Sequence, residues 1–300
     1  MDNAANLVLR ARICSLVREF FSSRGYLEVE TPLRTPAPLP EAHIDLFESE
    51  GSYLAASPEA LMKRLVAQGF KKIFTMSRAF RKGERGERHL PEFTLLEWYR
   101  ADADYTFLME ECEGLFLFLA DRLGLGSALT YQGKRVNLAC PWPRLTVGEA
   151  FSRFASKGLE DALAIDRFDE IMAFEVEPRL PGDRPLFLVD YPIAKASLAR
   201  VKPDNPAFAE RFELYAGGME LANAFSELTD FALQEARFEN EEKIRIQAGK
   251  APLPRPGRFL QSLKNLPPCA GIALGLDRLI MLFADAAKID QVVSFIPEEL

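Results

Sequence analysis

Four stretches of the chain gather charge where a purely structural sequence rarely puts it: Arg81 to Phe93, Glu213 with Glu220, Glu59 with Glu227, and Arg278. In the first, Arg81-Lys82-Gly83-Glu84-Arg85-Gly86-Glu87-Arg88-His89 lies between Phe80 and Leu90-Pro91-Glu92-Phe93. An arginine at the end of one strand and an aromatic at the start of the next place a phosphate binder and a stacking face across one hairpin. The plain structural alternative is a solvated charged loop. Glu213 precedes Glu220 across Gly217-Gly218, and two carboxylates on paired strands can hold Mg²⁺ together with phosphate oxygens. Strand alternation would put Glu220, Ala222, Ala224 and Ser226 on one face and Leu221, Asn223, Phe225 and Glu227 on the other. Arg278 falls in the first turn of a helix, where a surface salt bridge is the ordinary role.

The elements that must position these groups can be read from periodicity. Leu9, Ile13, Leu16, Val17, Phe20 and Phe21 recur at helical spacing, with Gly25 as a stop. Tyr26 to Pro32 alternates like a short strand, and Pro36, Pro38 and Pro40 impose an extended loop. Ser57-Pro58-Glu59 reads as a helix entrance, with Ser57 as the cap and Pro58 at the first helical position. Strands are predicted over 72–80 and 93–99, a helix from Tyr105 to about Leu123, and two shorter helices within 145–174. A buried strand at 187–191, a hairpin of 211–215 and 219–225, a charged helix over 228–247, and a strand passing at Gly275 into a helix over 276–283 complete the pattern. Helices first, then hairpins, then a strand-helix finish predict an α+β fold with a mainly antiparallel sheet.

Composition narrows the classes. The 300 residues are 48% hydrophobic and 27% charged, ordinary globular values, and the length suits one large domain. A net charge of −7 supplies no global field toward a polyphosphate backbone. Met1-Asp2-Asn3 is not a basic leader, and Leu115 to Ala120 is too short to cross a bilayer, so the expectation is a cytoplasmic protein without membrane association. Cys14, Cys112, Cys140 and Cys269 are scattered, with only His43 and His89 as partners, which argues against a zinc site or a disulfide framework.

Taken in order, these residues give the chain a resemblance, over nearly its whole length, to the catalytic core of a class II aminoacyl-tRNA synthetase of the lysyl type. Gly25-Tyr26-Leu27-Glu28-Val29-Glu30-Thr31-Pro32 is similar to motif 1 of that class. Phe80-Arg81 with His89 through Tyr99 is similar to motif 2, and Ala273-Leu274-Gly275-Leu276-Asp277-Arg278-Leu279 to motif 3. Ser57-Pro58-Glu59 and Glu220 through Glu227 match the lysine subclass. Because the first helix begins within the first ten residues, a single catalytic domain over 1–300 without an N-terminal anticodon-binding barrel is expected. Such a core is similar to the elongation factor P lysine ligases, which activate lysine or (R)-β-lysine and attach it to a lysine of elongation factor P.

The resemblance implies ATP as co-substrate, Mg²⁺ and a homodimer joined around Pro32. It implies that Arg81 binds the α-phosphate and Phe93 stacks on adenine, while Arg278 contacts the γ-phosphate or the far side of adenine. Lys82, Gly83, Glu84, His89, Leu90, Leu221 and Gly275 would surround the nucleotide, and Glu213 and Glu220 would hold the metal. Glu59 and Glu227 would pair with substrate ammonium groups, with Ser57, Pro58, Tyr99, Asn223, Phe225 and Ala273 completing that pocket. Ala273 stands where lysyl-tRNA synthetases tend to have glycine, and a methyl group at the pocket floor predicts a preference for β-lysine over α-lysine. Motif 2 reads Arg81-Lys82-Gly83-Glu84 in place of the usual Arg-Asn-Glu, and Leu90 replaces an asparagine. The alternatives are aminoacylation of a tRNA or small carrier, although tRNA is not the expected partner, and a paralogue kept as a regulatory subunit.

Overall fold

The protein, described here by a computed structural model over residues 3–300, is organised around one eight-stranded sheet. Its strands are β1 (Leu27–Glu28), β2 (Lys72–Phe80), β3 (Glu92–Ala101), β4 (Arg144–Thr146), β5 (Leu186–Pro192), β6 (Phe208–Ala216), β7 (Met219–Ser226) and β8 (Cys269–Gly275). They lie in the order β1-β2-β3-β8-β7-β6-β5-β4. The two outer pairs, β1 with β2 and β4 with β5, are parallel, and every pair between them is antiparallel. The α+β expectation with a mainly antiparallel sheet therefore holds.

Alternation splits the sheet into two faces with different tasks. Leu96 and Trp98 of β3, Ile272 and Leu274 of β8, Ala222 and Ala224 of β7, and Phe212 and Leu214 of β6 are buried in the main core. Against them pack α1 (Asn3–Ser23), α3 (Tyr105–Arg122) and α5 (Leu276–Phe283), while α2 (Glu59–Ala67) and α4 (Phe231–Gln247) belong to a second cluster. Phe20, Phe21, Phe116 and Trp98 are essentially inaccessible, each stabilising the fold by about 2–3 kcal/mol through burial. The polar atoms carried into that core are satisfied: Tyr26 Oη and Trp98 Nε1 donate to Glu111 at 2.7 and 2.9 Å. Asp104 caps α3 by accepting from Thr106 N at 2.9 Å, a contribution of about 1 kcal/mol.

The structure corrects several expected boundaries. The strand expected over 26–32 contracts to Leu27–Glu28, which pairs with Ile73 and Phe74. Leu145, expected at the start of a helix, lies in β4, and the helix Val147–Phe154 begins after a capping box built by Thr146 and Glu149. α4 starts at Phe231 because Asp230 accepts from Leu233 N at 2.9 Å and fixes the entrance. Pro58 is the residue before α2 and not its first helical residue, and Ser57 Oγ accepts from Glu59 N at 3.0 Å. Gly217 and Gly218 turn the β6–β7 hairpin with φ of +60° and +75°, a conformation that L side chains resist.

Candidate active site

The opposite face of the sheet carries most of the candidate site residues. Register places Glu97 of β3 beside Ala273 of β8, Ala273 beside Asn223 of β7, and Asn223 beside Glu213 of β6. The next row holds Tyr99, Gly271, Phe225 and Arg211. A cavity of about 510 Å³ opens on this face, with Ala273, Gly275 and Asn223 in its floor and Arg81, Gly83, Glu84, His89, Leu90 and Phe93 along the β2–β3 connection. Arg81 N donates to Pro91 O at 2.9 Å and closes the base of that connection. Its guanidinium lies 5.2 Å from the centroid of the Phe93 ring, and its Nε is buried without a hydrogen-bond partner among the described residues. An unpaired buried donor beside an aromatic face suits an anionic ligand that stacks. Lys82 departs from the expectation: its N–H goes to Asp45 O at 2.7 Å, its side chain is exposed, and it does not line the cavity.

Arg278 enters from the first turn of α5. Its Nη1 donates to Glu220 O at 2.8 Å, its Nε to Arg88 O at 3.2 Å, and its Nη2 lies 2.5 Å from His89 Nε2. Burial and the positive charges of Arg278, Arg81 and Arg88 pull the His89 imidazole down to about 4, so at neutral pH it is uncharged and its Nε2 accepts from the guanidinium. Asp277, buried beside Arg278, accepts from Thr94 N at 2.7 Å and from Arg10 Nη1 at 2.5 Å, which locks α5 to β3 and α1. Its signal was an acid inside an otherwise apolar helix start. Gly275 has φ −67°, and a Cβ there would come no closer than 3.7 Å to Arg278, so the protein itself leaves room for a larger residue. Only an occupant of the cavity would require the bare backbone.

Simple alternation fails at β7. The pairing passes from Leu214↔Ala222 to Tyr215↔Glu220, leaving Leu221 as the extra residue of a bulge. The bulge re-aims the strand, so Glu220 and Asn223, expected on opposite faces, both line the same cavity together with Leu221. Glu213 lines an adjoining cavity of about 670 Å³ that meets the first at Glu41, Ile44 and Asn223. Arg211 Nη2 and Tyr215 Oη donate to Glu213 at 2.7 and 2.8 Å. Burial raises the Glu220 carboxyl, and the Glu213 charge raises it further. Glu177, which the sequence did not single out, is pushed up to about 7 by burial and then by Glu213 and Glu220. A divalent cation would relieve this repulsion, so the donor set suits a hard metal ion. Among the described residues no group of three or more ligating side chains forms a closed metal site, so ligand oxygens would have to complete the coordination.

Behind the Ala273 row lies a buried ionic network that changes the reading of Glu59 and Glu227. Expected to stand ready for substrate, they are both paired with Lys63: its Nζ lies 2.5 Å from Glu59 Oε1 and also against Glu227 Oε2. Burial would lower the lysine, but Glu227 and Glu59 outweigh it and hold the ammonium charged. Glu97, also overlooked, accepts from Ser57 Oγ at 2.6 Å and Tyr99 Oη at 3.0 Å. Burial first, then Glu59, pushes Glu97 up to about 8; burial, offset by Lys63, takes Glu227 to about 8. Lys63 Nζ is also 5.0 Å from the centre of the Phe225 ring. Ser57, Pro58, Glu59, Tyr99, Phe225 and Glu227 do not line the 510 Å³ cavity, whereas Asn223 and Ala273 do. The sequence patterning could show a carboxylate in an apolar strand, as at Glu97, but not that a helix one layer away supplies its counter-charge.

Comparison with known proteins bears directly on this arrangement. Residues 1–299 match the family described as tRNA synthetases class II (D, K and N). The chain is 40% identical to the elongation factor P--(R)-beta-lysine ligase of Pectobacterium atrosepticum, over 98% of this chain and 95% of that protein. It is 37% identical to the protein of the same name from Vibrio vulnificus, over 95% of this chain and 94% of that one. The lysine--tRNA ligase of Anaeromyxobacter dehalogenans is 37% identical over 96% of this chain, which spans 64% of its length. No helix among the described residues is long and apolar enough to cross a membrane.

Proposed function

The chain belongs to the class II tRNA synthetases (D, K and N), and on that premise we propose that it activates lysine or (R)-β-lysine with ATP and transfers it to a lysine of elongation factor P. The observation that carries the reading is the joining, in one cavity, of Arg81, Phe93 and Arg278 with a floor at Ala273 that backs onto Glu59, Glu97 and Glu227. Burial raises Glu97 and Glu227 to about 8 around the one Lys63 ammonium, and the distal ammonium of a diamino acid would draw them back to the charged form and be paired by it. Burying that ammonium without a partner would be costly.

In this reading the substrate carboxylate attacks the α-phosphorus in line and pyrophosphate leaves. Arg81 and Arg278 neutralise the charge that develops on the phosphates, and the bound geometry replaces a chance encounter. The carboxylate is already ionised, so no side chain has to remove a proton in this step. Glu213 and Glu220 would hold Mg²⁺, which when bound supplies further charge neutralisation at the phosphate oxygens. An acceptor amine then attacks the carbonyl carbon of the adenylate and AMP departs. Association as a homodimer through the segment around Pro32 belongs to the same reading and is checked by sedimentation.

The test is ATP–pyrophosphate exchange with α-lysine, (R)-β-lysine and the other amino acids offered singly. Exchange confined to lysine or β-lysine is expected, and none with any amino acid would refute the assignment. The similarity to lysine--tRNA ligase supports a second reading, transfer to tRNA. Parallel acceptor assays with elongation factor P and bulk tRNA separate the two.

A further inference from the structure

We infer that Glu41 receives the ammonium group nearest the substrate's carboxylate and so helps set which diamino acid is accepted, an inference that rests on the function proposed above. Glu41 follows Pro40 in the proline-rich loop and lines both cavities where they meet. Most acids around it are already engaged. Lys63 pairs with Glu59 and Glu227, Ser57 and Tyr99 bond Glu97, Arg211 and Tyr215 bond Glu213, and Arg10 holds Asp277. Glu220 and Glu84 have arginines at 3.4 and 4.0 Å. The Glu41 carboxylate has no hydrogen bond and no ion pair among the described residues.

The loop holds this group in place. Ala42 N donates to Glu241 Oε2 at 2.9 Å, Lys250 Nζ donates to Ala42 O at 3.1 Å, and Arg245 Nη1 donates to Ile44 O at 3.1 Å. With the backbone on its C-terminal side anchored, the loop has less freedom to lose on binding, which favours recognition. Burial raises the Glu41 carboxyl to about 7; of the charges around it Arg81 acts most strongly, against Glu59, Glu241 and Glu84 of its own sign. An arriving ammonium would draw the carboxyl back toward its ordinary range. Proximity to Arg81 also decides which ammonium arrives. Arg81 is the residue assigned to the phosphate that the substrate carboxylate attacks, so the amine reaching Glu41 is the one beside that carboxylate. The remaining chain then runs toward Ala273 and the network behind it.

The experiment compares the wild-type protein with Glu41→Gln, using lysine as substrate and 6-aminohexanoate, which lacks the amine beside the carboxylate, as inhibitor of ATP–pyrophosphate exchange. Losing a charged hydrogen bond predicts a KM for lysine raised about tenfold or more. The inhibition constant of 6-aminohexanoate and the KM for ATP should each stay within about twofold, this being the selectivity that a charged contact confers. Glu241→Ala, which removes the acceptor of Ala42 N and so loosens the same loop without removing the Glu41 carboxylate, should move lysine and 6-aminohexanoate together. Equal weakening of both ligands by Glu41→Gln, or of neither, overturns the inference. A wild-type protein that activates neither lysine nor (R)-β-lysine instead rejects the functional reading on which it stands, and if only (R)-β-lysine is activated it replaces lysine in the comparison.

Discussion

Gly271→Ala tests the packing of the row formed by Tyr99, Gly271 and Phe225 most directly. Gly271 is in β8, a strand paired on both sides, and a Cβ at this position would lie 2.2 Å from Tyr99 Cε1 and 2.4 Å from Glu227 Oε1. Carbon atoms need about 3.5 Å, so the ring would have to move by more than about 1 Å. It has little freedom to do so, because Tyr99 is 2% exposed and its hydroxyl bonds Glu97. Overpacking of this kind costs about 1–3 kcal/mol, and freeing a buried carboxyl from its donor adds about 1–3 kcal/mol. A total of about 2–6 kcal/mol corresponds to a fall in Tm of roughly 3–10 °C for a chain of this size. Urea titration alongside thermal unfolding measures it, with the slope of the urea transition checked for constancy. The KM for lysine should rise as Tyr99 and Glu227 shift. A midpoint within experimental error of wild type, with unchanged lysine kinetics, would refute the claim that this row is close-packed.

Four further predictions concern charge and the cavity wall. The Glu97 carboxyl is raised from about 4.5 to about 8 on folding, so its contribution is fully present below about pH 4.5 and is lost as pH rises through 8; Glu97→Gln should therefore flatten the fall in stability across that window by up to about 1.4 kcal/mol per pH unit, read from urea midpoints at each pH. Lys63→Met leaves Glu59 and Glu227 without their cation and should destabilise by about 3–5 kcal/mol at pH 8, less at pH 5, as measured by denaturant unfolding at the two pH values. Arg278→Lys cannot reproduce the fork that reaches both Glu220 O and His89 Nε2, and steady-state kinetics should show the KM for ATP rising by about tenfold with little change for lysine. Ala273→Gly removes the methyl group from the cavity floor and should move the ratio of activation rates from β-lysine toward α-lysine; an unchanged ratio in exchange assays would remove that idea.

Periodicity and turn chemistry made much of the scaffold legible. The helical repeat ending at Gly25, the paired runs around Gly217-Gly218 and the strand entering a helix at Gly275 appear close to where they were expected. Edges of elements were less legible where a side-chain cap moved them, as at Thr146 and Asp230. The motif residues were found, but their mutual arrangement was not. Alternation separated Glu220 from Asn223, and only the bulge at Leu221, a matter of how β7 pairs with β6, brings them to one cavity.

The same division holds for charge. Residue type and spacing by themselves marked Arg81 at a strand end, the aromatic Phe93 and the acid-rich β6–β7 hairpin, because these signals are local to one strand or hairpin, whereas a phosphate role for Arg278 was implied only by the resemblance to the class II synthetases. Only the tertiary structure decided which carboxylates are free. Lys63 on α2 reaches Glu227 just past the end of β7, the hydroxyls of Ser57 and Tyr99 take up Glu97, and the Glu41 carboxylate makes no hydrogen bond or ion pair among the described residues. The physical reason is that the state of a buried carboxylate is set by burial and by charges a few ångströms away, and those neighbours come from segments that only folding brings together.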